Sequence, residues 1–182
     1  MRVIAGTARS LQLVTPTGLG TRPTTDRIRE TLFNVMQTDV PGSVFVDLFA
    51  GSGACGIEAL SRGAKKAYFI ENAKDALACI EQNVKHCKFE AESMILKQDA
   101  IEALKYTIRE IADIIFADPP YEKGYDRLIL EAGVTAKCIG EDTLIVIEEA
   151  KDTDFSYADS LGYDIIKEKI YKTNKHVFLR RK

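Results

Sequence analysis

The feature that most constrains the fold is the stretch Asp47-Leu-Phe-Ala-Gly51-Ser-Gly53-Ala-Cys-Gly56, where an apolar run stops at an acidic residue and passes at once into a glycine loop. Val44, Phe45, Val46, Leu48 and Phe49 are the β-branched, aliphatic and aromatic residues of a strand covered on both faces, with Gly42 and Ser43 at its start. Residues 54–62 have helical length, and Gly63 stops them. Glycines in such a turn let backbone N–H groups approach an anionic ligand at the helix N-terminus, where unpaired donors and the helix dipole favour negative charge.

From residue 44 onward, strand and helix alternate. Residues 67–70, 93–96, 114–117 and 144–147 are short apolar runs separated by stretches of helical length. That order predicts a parallel, doubly wound α/β sheet with right-handed crossovers. The last segment differs: residues 163–172 and 176–180 flank Thr173-Asn174-Lys175, predicting an antiparallel hairpin that finishes the sheet. At the other end, residues 2–16 alternate loosely around a turn at 6–10, predicting a small N-terminal β-hairpin. Residues 26–36 place Ile28, Leu32, Phe33, Val35 and Met36 at mainly helical spacing, with Thr24 or Thr25 as the candidate cap and Pro23 just outside. One domain over 1–182 is expected, with 1–20 as a hairpin appendage and 21–182 as a Rossmann-like core.

Composition narrows the function classes. No window is long and apolar enough to span a membrane, and the start, Met1-Arg-Val-Ile-Ala-Gly6, lacks a secretory apolar core, so a cytoplasmic location is expected. Cys55, Cys79, Cys87 and Cys138 form no CxxC pair, and neither His86 nor His176 stands at metal-ligand spacing to them; buried reduced thiols and no metal are expected. The net charge of −2 argues against a freestanding nucleic-acid binder. Its distribution is uneven, however. Residues 1–30 carry five arginines against Asp26 and Glu30, residues 163–182 carry seven lysines and arginines against Asp164 and Glu168, and the middle is acidic. Solvated termini and a polyanion-facing surface both account for this.

Acidic residues recur where the strands end: Asp47, Glu71, Asp99 and Asp118. Carboxyl ends of strands form the ligand crevice of an open parallel sheet, so four carboxylates are expected along one edge. Gly51-x-Gly53-x-x-Gly56 with Glu71 formally satisfies a dinucleotide fingerprint. Asp47 opposes that reading, because a carboxylate beside the loop repels a diphosphate and attracts an ammonium group. A ligand with adenine, ribose and an amino-acid tail fits better, and S-adenosylmethionine has all three.

The second motif, Asp118-Pro119-Pro120-Tyr121, directly follows the apolar run 114–117. Its prolines turn the chain away and leave carbonyls available as acceptors. An amino group on an aromatic ring is a poor nucleophile because its lone pair is delocalised. If the Asp118 carboxylate and the Pro119 carbonyl each accept one of its N–H bonds, the lone pair is aimed at the methyl donor, and positioning supplies much of the rate. Tyr121 then offers a stacking face, a contact worth roughly 1–3 kcal/mol per base in single-strand sites.

The stretch 47–63, preceded by Arg22-Pro-Thr-Thr-Asp-Arg-Ile-Arg-Glu-Thr-Leu-Phe33 and followed by Asp118-Pro-Pro-Tyr121, resembles the RsmD-type methyltransferases over nearly the whole chain. The resemblance implies a class I S-adenosylmethionine-dependent methyltransferase fold, with a seven-stranded, mostly parallel sheet. It implies methylation of the exocyclic N2 of a guanine in 16S rRNA, with the assembled or assembling small ribosomal subunit as partner. By position it implies that Asp47, Gly51 and Gly53 hold the methionine end of the cofactor, Glu71 the ribose, and Asp99 with Ala100 the adenine, with Phe49 and Asn72 also in the cofactor site. Asp118, Pro119, Pro120 and Tyr121 would hold the target base, and Arg2, Arg9, Arg22, Thr24, Arg27 and Arg29 would face RNA. Arg27 and Arg29 point to different sides of a helix, which leaves at least one open to a plain surface role. A DNA amino-methyltransferase and an NAD-binding oxidoreductase are the alternatives. The first lacks room between its motifs for a segment that reads DNA sequence, and the second meets the objection of Asp47.

Overall fold

The computed structural model describes residues 1–16, 26–121 and 123–182. Among these, β1 (Val44–Leu48), β2 (Lys66–Glu71), β3 (Ser93–Lys97), β4 (Ala112–Ala117), β5 (Ile139–Ala150), β6 (Tyr163–Ile170) and β7 (Asn174–Arg181) form one sheet in the order β3-β2-β1-β4-β5-β7-β6. The first five strands pair in parallel, and β7 runs antiparallel to both β5 and β6. The doubly wound sheet and its closing hairpin are therefore as the sequence predicts.

Residue parity along the strands divides the core in two. Phe45, Phe69, Ile114, Phe116, Val146 and Phe178 point to one face, under α1 (Asp26–Val35), α2 (Ala54–Ser61) and α3 (Lys74–Cys87). Val46, Leu48, Ile70, Ile115, Ile147 and Val177 point to the other, under the short helix α4 (Ala100–Glu102), α5 (Tyr125–Gly133) and the 3-10 turn Ser156–Leu161. With both faces covered, β1 is buried at all five positions. This is why its sequence reads as a continuous apolar run rather than an alternation. In α3 the buried residues Ala76, Leu77, Ile80, Asn83, Val84 and Cys87 recur at helical spacing.

β5 is longer than the apolar run 144–147 suggests. Its first residues, Gly140, Glu141 and Asp142, are polar, but Thr143 accepts from Gly140 N–H at 2.9 Å and donates to the Ala112 carbonyl at 2.7 Å, bridging a register slip beside β4. At its other end β5 continues through Glu148 and Glu149 because β7 pairs with it as far as Ala150.

Residues 1–16 turn back on themselves with one antiparallel bridge, Arg2 to Gln12. This segment is fastened to α2. Ile4 and Ala5 N–H donate to the Glu58 carboxylate at 2.8 and 3.1 Å, Ala8 N–H donates to Ser61 Oγ at 2.9 Å, and Thr7 N–H donates to the Ser61 carbonyl at 2.8 Å. A Cβ at Gly6 would lie 1.7 Å from the Ser61 carbonyl oxygen, so only glycine permits that approach. Farther on, Asn83 of α3 exchanges two 2.8 Å hydrogen bonds with the Val14 backbone.

No helix among the described residues is long and apolar enough to cross a membrane. All four cysteines are free thiols, three of them buried.

Candidate active site

Strand order brings the carboxylates together. The strands that end in Asp99, Glu71, Asp47 and Asp118 are β3, β2, β1 and β4, which lie side by side in the sheet. Between β1 and β4 the chain reverses its direction of travel across the sheet. β1 leads into α2 on one face and β4 leads to α5 on the other, which makes this the switch point where α/β sheets open a crevice.

Asp47 stands on β1 and is 2 % exposed. Its Oδ2 accepts the Gly56 N–H at 2.9 Å, at the start of α2. Burial pushes its carboxyl from the ordinary 3.8 up to about 7; the Gly56 bond opposes this and the charge of Glu71 adds to it. A buried carboxyl of this kind gains most from a cation supplied by a ligand. The loop around it is shaped by left-handed backbone at Phe49, Gly51 and Gly53, with φ of 68°, 55° and 77°. At Phe49, a bulky non-glycine residue, that conformation costs about 1–3 kcal/mol. Its ring meets Tyr125 edge-on, with centroids 5.0 Å apart. Gly56 is required for packing: a Cβ there would lie 2.3 Å from the Phe69 ring.

Glu71 ties the loop to β2. Its Oε2 accepts the Gly51 N–H at 2.9 Å, and its Oε1 accepts the N–H groups of Asn72 and Ala73 at 2.8 and 2.9 Å. Asp99 caps α4 through Oδ1, which accepts from Ile101 and Glu102 at 2.8 and 3.0 Å. Phe49, Ile70, Glu71, Asn72, Gln98, Asp99, Ala100 and Tyr125 line one cleft of about 30 Å³. That volume is on the order of one or two waters. A larger cavity, about 440 Å³ between Gln12, Val14, Gln82, Asn83, Lys85 and His86, shares no residue with the carboxylate row.

Asp118, Pro119, Pro120 and Tyr121 follow β4 directly, across the switch point from Asp47. Pro119 is buried, while Asp118 and Tyr121 are half-buried. The Tyr121 hydroxyl donates to Glu148 Oε1 at 2.7 Å. Burial, and then the negative charge of Glu148, push that phenol far above its ordinary range, so it keeps its proton. Cys55, within the glycine loop, is likewise pushed well up by burial and then by Asp47, as suits a packing residue rather than a nucleophile.

The basic residues divide. Arg2, Arg9 and Arg27 are exposed, with Arg2 Nε 3.6 Å from Asp26. Arg29 is fully buried instead: one guanidinium nitrogen donates to the Arg2 carbonyl and lies 3.2 Å from Asp26, and its Nε lies 3.9 Å from Glu58. The expectation that Arg29 faces RNA is corrected on that geometry, because the docked hairpin closes over its side chain. Arg22 and Thr24 lie outside the described residues. No group of three or more His, Cys, Asp or Glu side chains among the described residues is placed to hold a metal ion.

Sequence reading missed Gln98, Tyr125, Glu148, Asn174 and His176. For Glu148 the signal was available: it too is an acidic residue immediately after an apolar run.

Known proteins resemble the chain in sequence and in fold. The family model described as Conserved hypothetical protein 95 matches residues 1–180. Ribosomal RNA small subunit methyltransferase D of Haemophilus influenzae is 34% identical, over 84% of this chain and 80% of its own length. The Escherichia coli protein of the same name is 38% identical, over 68% of this chain and 62% of its own length. The solved structure of Escherichia coli yhhF, 28% identical, superposes with a TM-score of 0.84 over 100% of this chain and 97% of its own. With the sheet order, the two motifs and these matches in agreement, the chain has the class I S-adenosylmethionine-dependent methyltransferase fold and belongs to the family of ribosomal RNA small subunit methyltransferase D.

Proposed function

We propose that this protein methylates the exocyclic N2 of a guanine in 16S rRNA, with S-adenosylmethionine as the methyl donor. Family membership supports S-adenosylmethionine-dependent methylation of ribosomal RNA. The observation that carries the choice of an amino group is the juxtaposition of the Asp47 loop and Asp118-Pro119-Pro120-Tyr121 at the ends of adjacent strands.

The residues present fit the donor. A carboxyl that burial holds up at about 7 suits an ammonium group, and the Glu71 carboxylate near it, bonded to the Gly51 N–H, suits a ligand that carries hydroxyls. Asp47 would pair with the ammonium, Glu71 and Asn72 with the ribose, and Asp99 and Ala100 with the adenine. Bound there, the donor supplies an electrophilic methyl group on a positively charged sulfur. The protein's own part is positioning. Asp118 and the Pro119 carbonyl accept the two amino N–H bonds and turn the nitrogen lone pair toward the methyl, and Asp118 holds the proton the nitrogen sheds. The Tyr121 ring stacks on the base. Arg2, Arg9 and Arg27 lie on the surface toward which a polyanion would be drawn, while the acidic middle favours a protein-bearing ribosomal particle over naked RNA.

The test is nucleoside analysis of small ribosomal subunits, unmodified at the target, after incubation with the protein and S-adenosylmethionine. N2-methylguanosine is expected at one position. Methylation of adenine N6 or cytosine N4, or of DNA in place of rRNA, would overturn the reading.

Asp47 sets a pH dependence. Its folded value lies above its ordinary one, so the cofactor-free protein loses stability as Asp47 ionises between about pH 4 and pH 7. An ammonium partner favours the ionised form. Calorimetry should therefore show cofactor binding tightening as pH rises toward about 7, by up to about tenfold per unit, and Asp47→Asn should bind weakly with that slope removed. A slope unchanged in the variant would remove Asp47 from the ammonium site.

A further inference from the structure

On the sheet face that carries Phe116, β5 and β7 are apolar through Val146 and Phe178, which are cross-strand partners. Two residues farther along β5 the pair becomes Glu148 and His176, also directly opposite one another, 3 % and 0 % exposed. Three donors converge on that one carboxylate. Oε1 accepts the Tyr121 hydroxyl at 2.7 Å and the Asn174 amide at 2.6 Å, and Oε2 lies 2.8 Å from His176 Nε2. Behind the histidine, the Tyr171 hydroxyl lies 3.2 Å from Nδ1. Burial raises the Tyr171 phenol to about 12, so it keeps its proton. Burial alone would push the Glu148 carboxyl up, but the His176 bond and attraction, with the Tyr121 and Asn174 donors, outweigh it and hold the carboxyl below its ordinary value.

A polar network inside a sheet is costly unless every member is satisfied. This one extends beyond the core, because Tyr121 is half-buried and belongs to the motif at the end of β4. We propose that Glu148, held by Asn174 and His176, is a positioning residue that anchors the tip of the Tyr121 ring against which the target base stacks. The inference rests on the reading of Tyr121 given above. A phenol held only by its Cα–Cβ and Cβ–Cγ bonds swings and twists. A short bond from its hydroxyl to an ionised acceptor stops the swing before the base arrives, and the preference of a phenolic O–H for the ring plane biases the twist. The ordering cost is then not charged to base binding. Asp118 and Pro119 orient the amino group best when the ring that carries the base is held in one place.

The test is a double-mutant cycle of Tyr121→Phe and Glu148→Gln, read as kcat and KM on small ribosomal subunits, with cofactor affinity and melting temperature measured alongside. Tyr121→Phe removes one oxygen and leaves Glu148 its other two donors. It is expected to lower kcat between about ten- and a hundredfold with cofactor affinity kept, the scale of a small misplacement of reacting groups. Glu148→Gln should lose a similar factor, and the double variant should be no worse than the poorer single. If Glu148→Gln melts below the assay temperature, Glu148→Asp, which keeps the negative charge but draws the carboxylate back by one methylene, takes its place. Wild-type kcat in Tyr121→Phe, or losses that multiply in the double variant, would overturn the inference. Wild-type protein that never methylates rRNA would instead overturn the proposed function.

Discussion

Replacing Asp118 with alanine is expected to lower methyl transfer by at least about a hundredfold while leaving cofactor affinity near that of the unaltered protein, since aligned acceptors at a reacting centre are worth that much. The separation follows from the sheet. Residues assigned to the cofactor come from the ends of β1, β2 and β3, whereas Asp118 follows β4 on the other side of the switch point. Losing its carboxylate leaves the Asp47 to Gly56 and Glu71 to Gly51 bonds in place. What is lost is one of two acceptors for the amino group, so the lone pair returns to the aromatic ring and the nitrogen no longer faces the methyl. Single-turnover methylation read beside calorimetric cofactor binding measures both quantities. Full activity in the variant would rule out the amino-group mechanism. Lost cofactor binding would place Asp118 with the donor instead of the acceptor.

The largest stability effect is expected at Glu58. This residue of α2 is 0 % exposed, and its carboxylate accepts Ile4 N–H at 2.8 Å, Ala5 N–H at 3.1 Å and Arg62 Nε at 2.7 Å. Arg29 Nε, 3.9 Å away, is close enough for attraction but too far for a hydrogen bond. Glu58→Ala would leave the buried Arg29 guanidinium with Asp26 as its remaining carboxylate neighbour, Arg62 without its 2.7 Å partner and two backbone donors unpaired. Breaking a buried pair from one side costs about 3–5 kcal/mol. For a chain of this size, each kcal/mol lowers the melting temperature by about 2–4 °C. Urea denaturation should show the loss, and hydrogen exchange at Ile4 and Ala5 should speed up first, because their N–H groups lose their acceptor. A change below about 1 kcal/mol would mean that the Ser61 and Asn83 bonds and the apolar contacts of Val3, Ala8 and Leu13 hold the hairpin without Glu58.

The Arg29 result bears on RNA recognition. Sequence placed Arg27 and Arg29 together as candidates, two positions apart on one helix. The structure keeps Arg27 exposed and spends Arg29 on hairpin docking. Periodicity could say that the two differ, but not which one the hairpin covers, because the answer depends on residues 1–16 folding onto α2.

What the sequence by itself determined is local. An apolar run, an acidic residue and a glycine loop specify a strand, its end and the helix after it, so β1, α2, the row of Asp47, Glu71, Asp99 and Asp118, and the closing hairpin were all legible. The elements are controlled within a few residues of chain, and the row follows from the general rule that strand ends of a parallel sheet share one edge. Only the tertiary structure decided that Asp47 is buried deeply enough to hold its proton up to about 7, and that Arg29 is a core residue. Only it showed that Tyr121, Glu148, Asn174 and His176 are one hydrogen-bonded unit. Burial is set by which helix covers a strand end. The partnership of Glu148 with His176 is set by the register of β5 against β7, which the paired strands fix jointly and neither segment encodes alone.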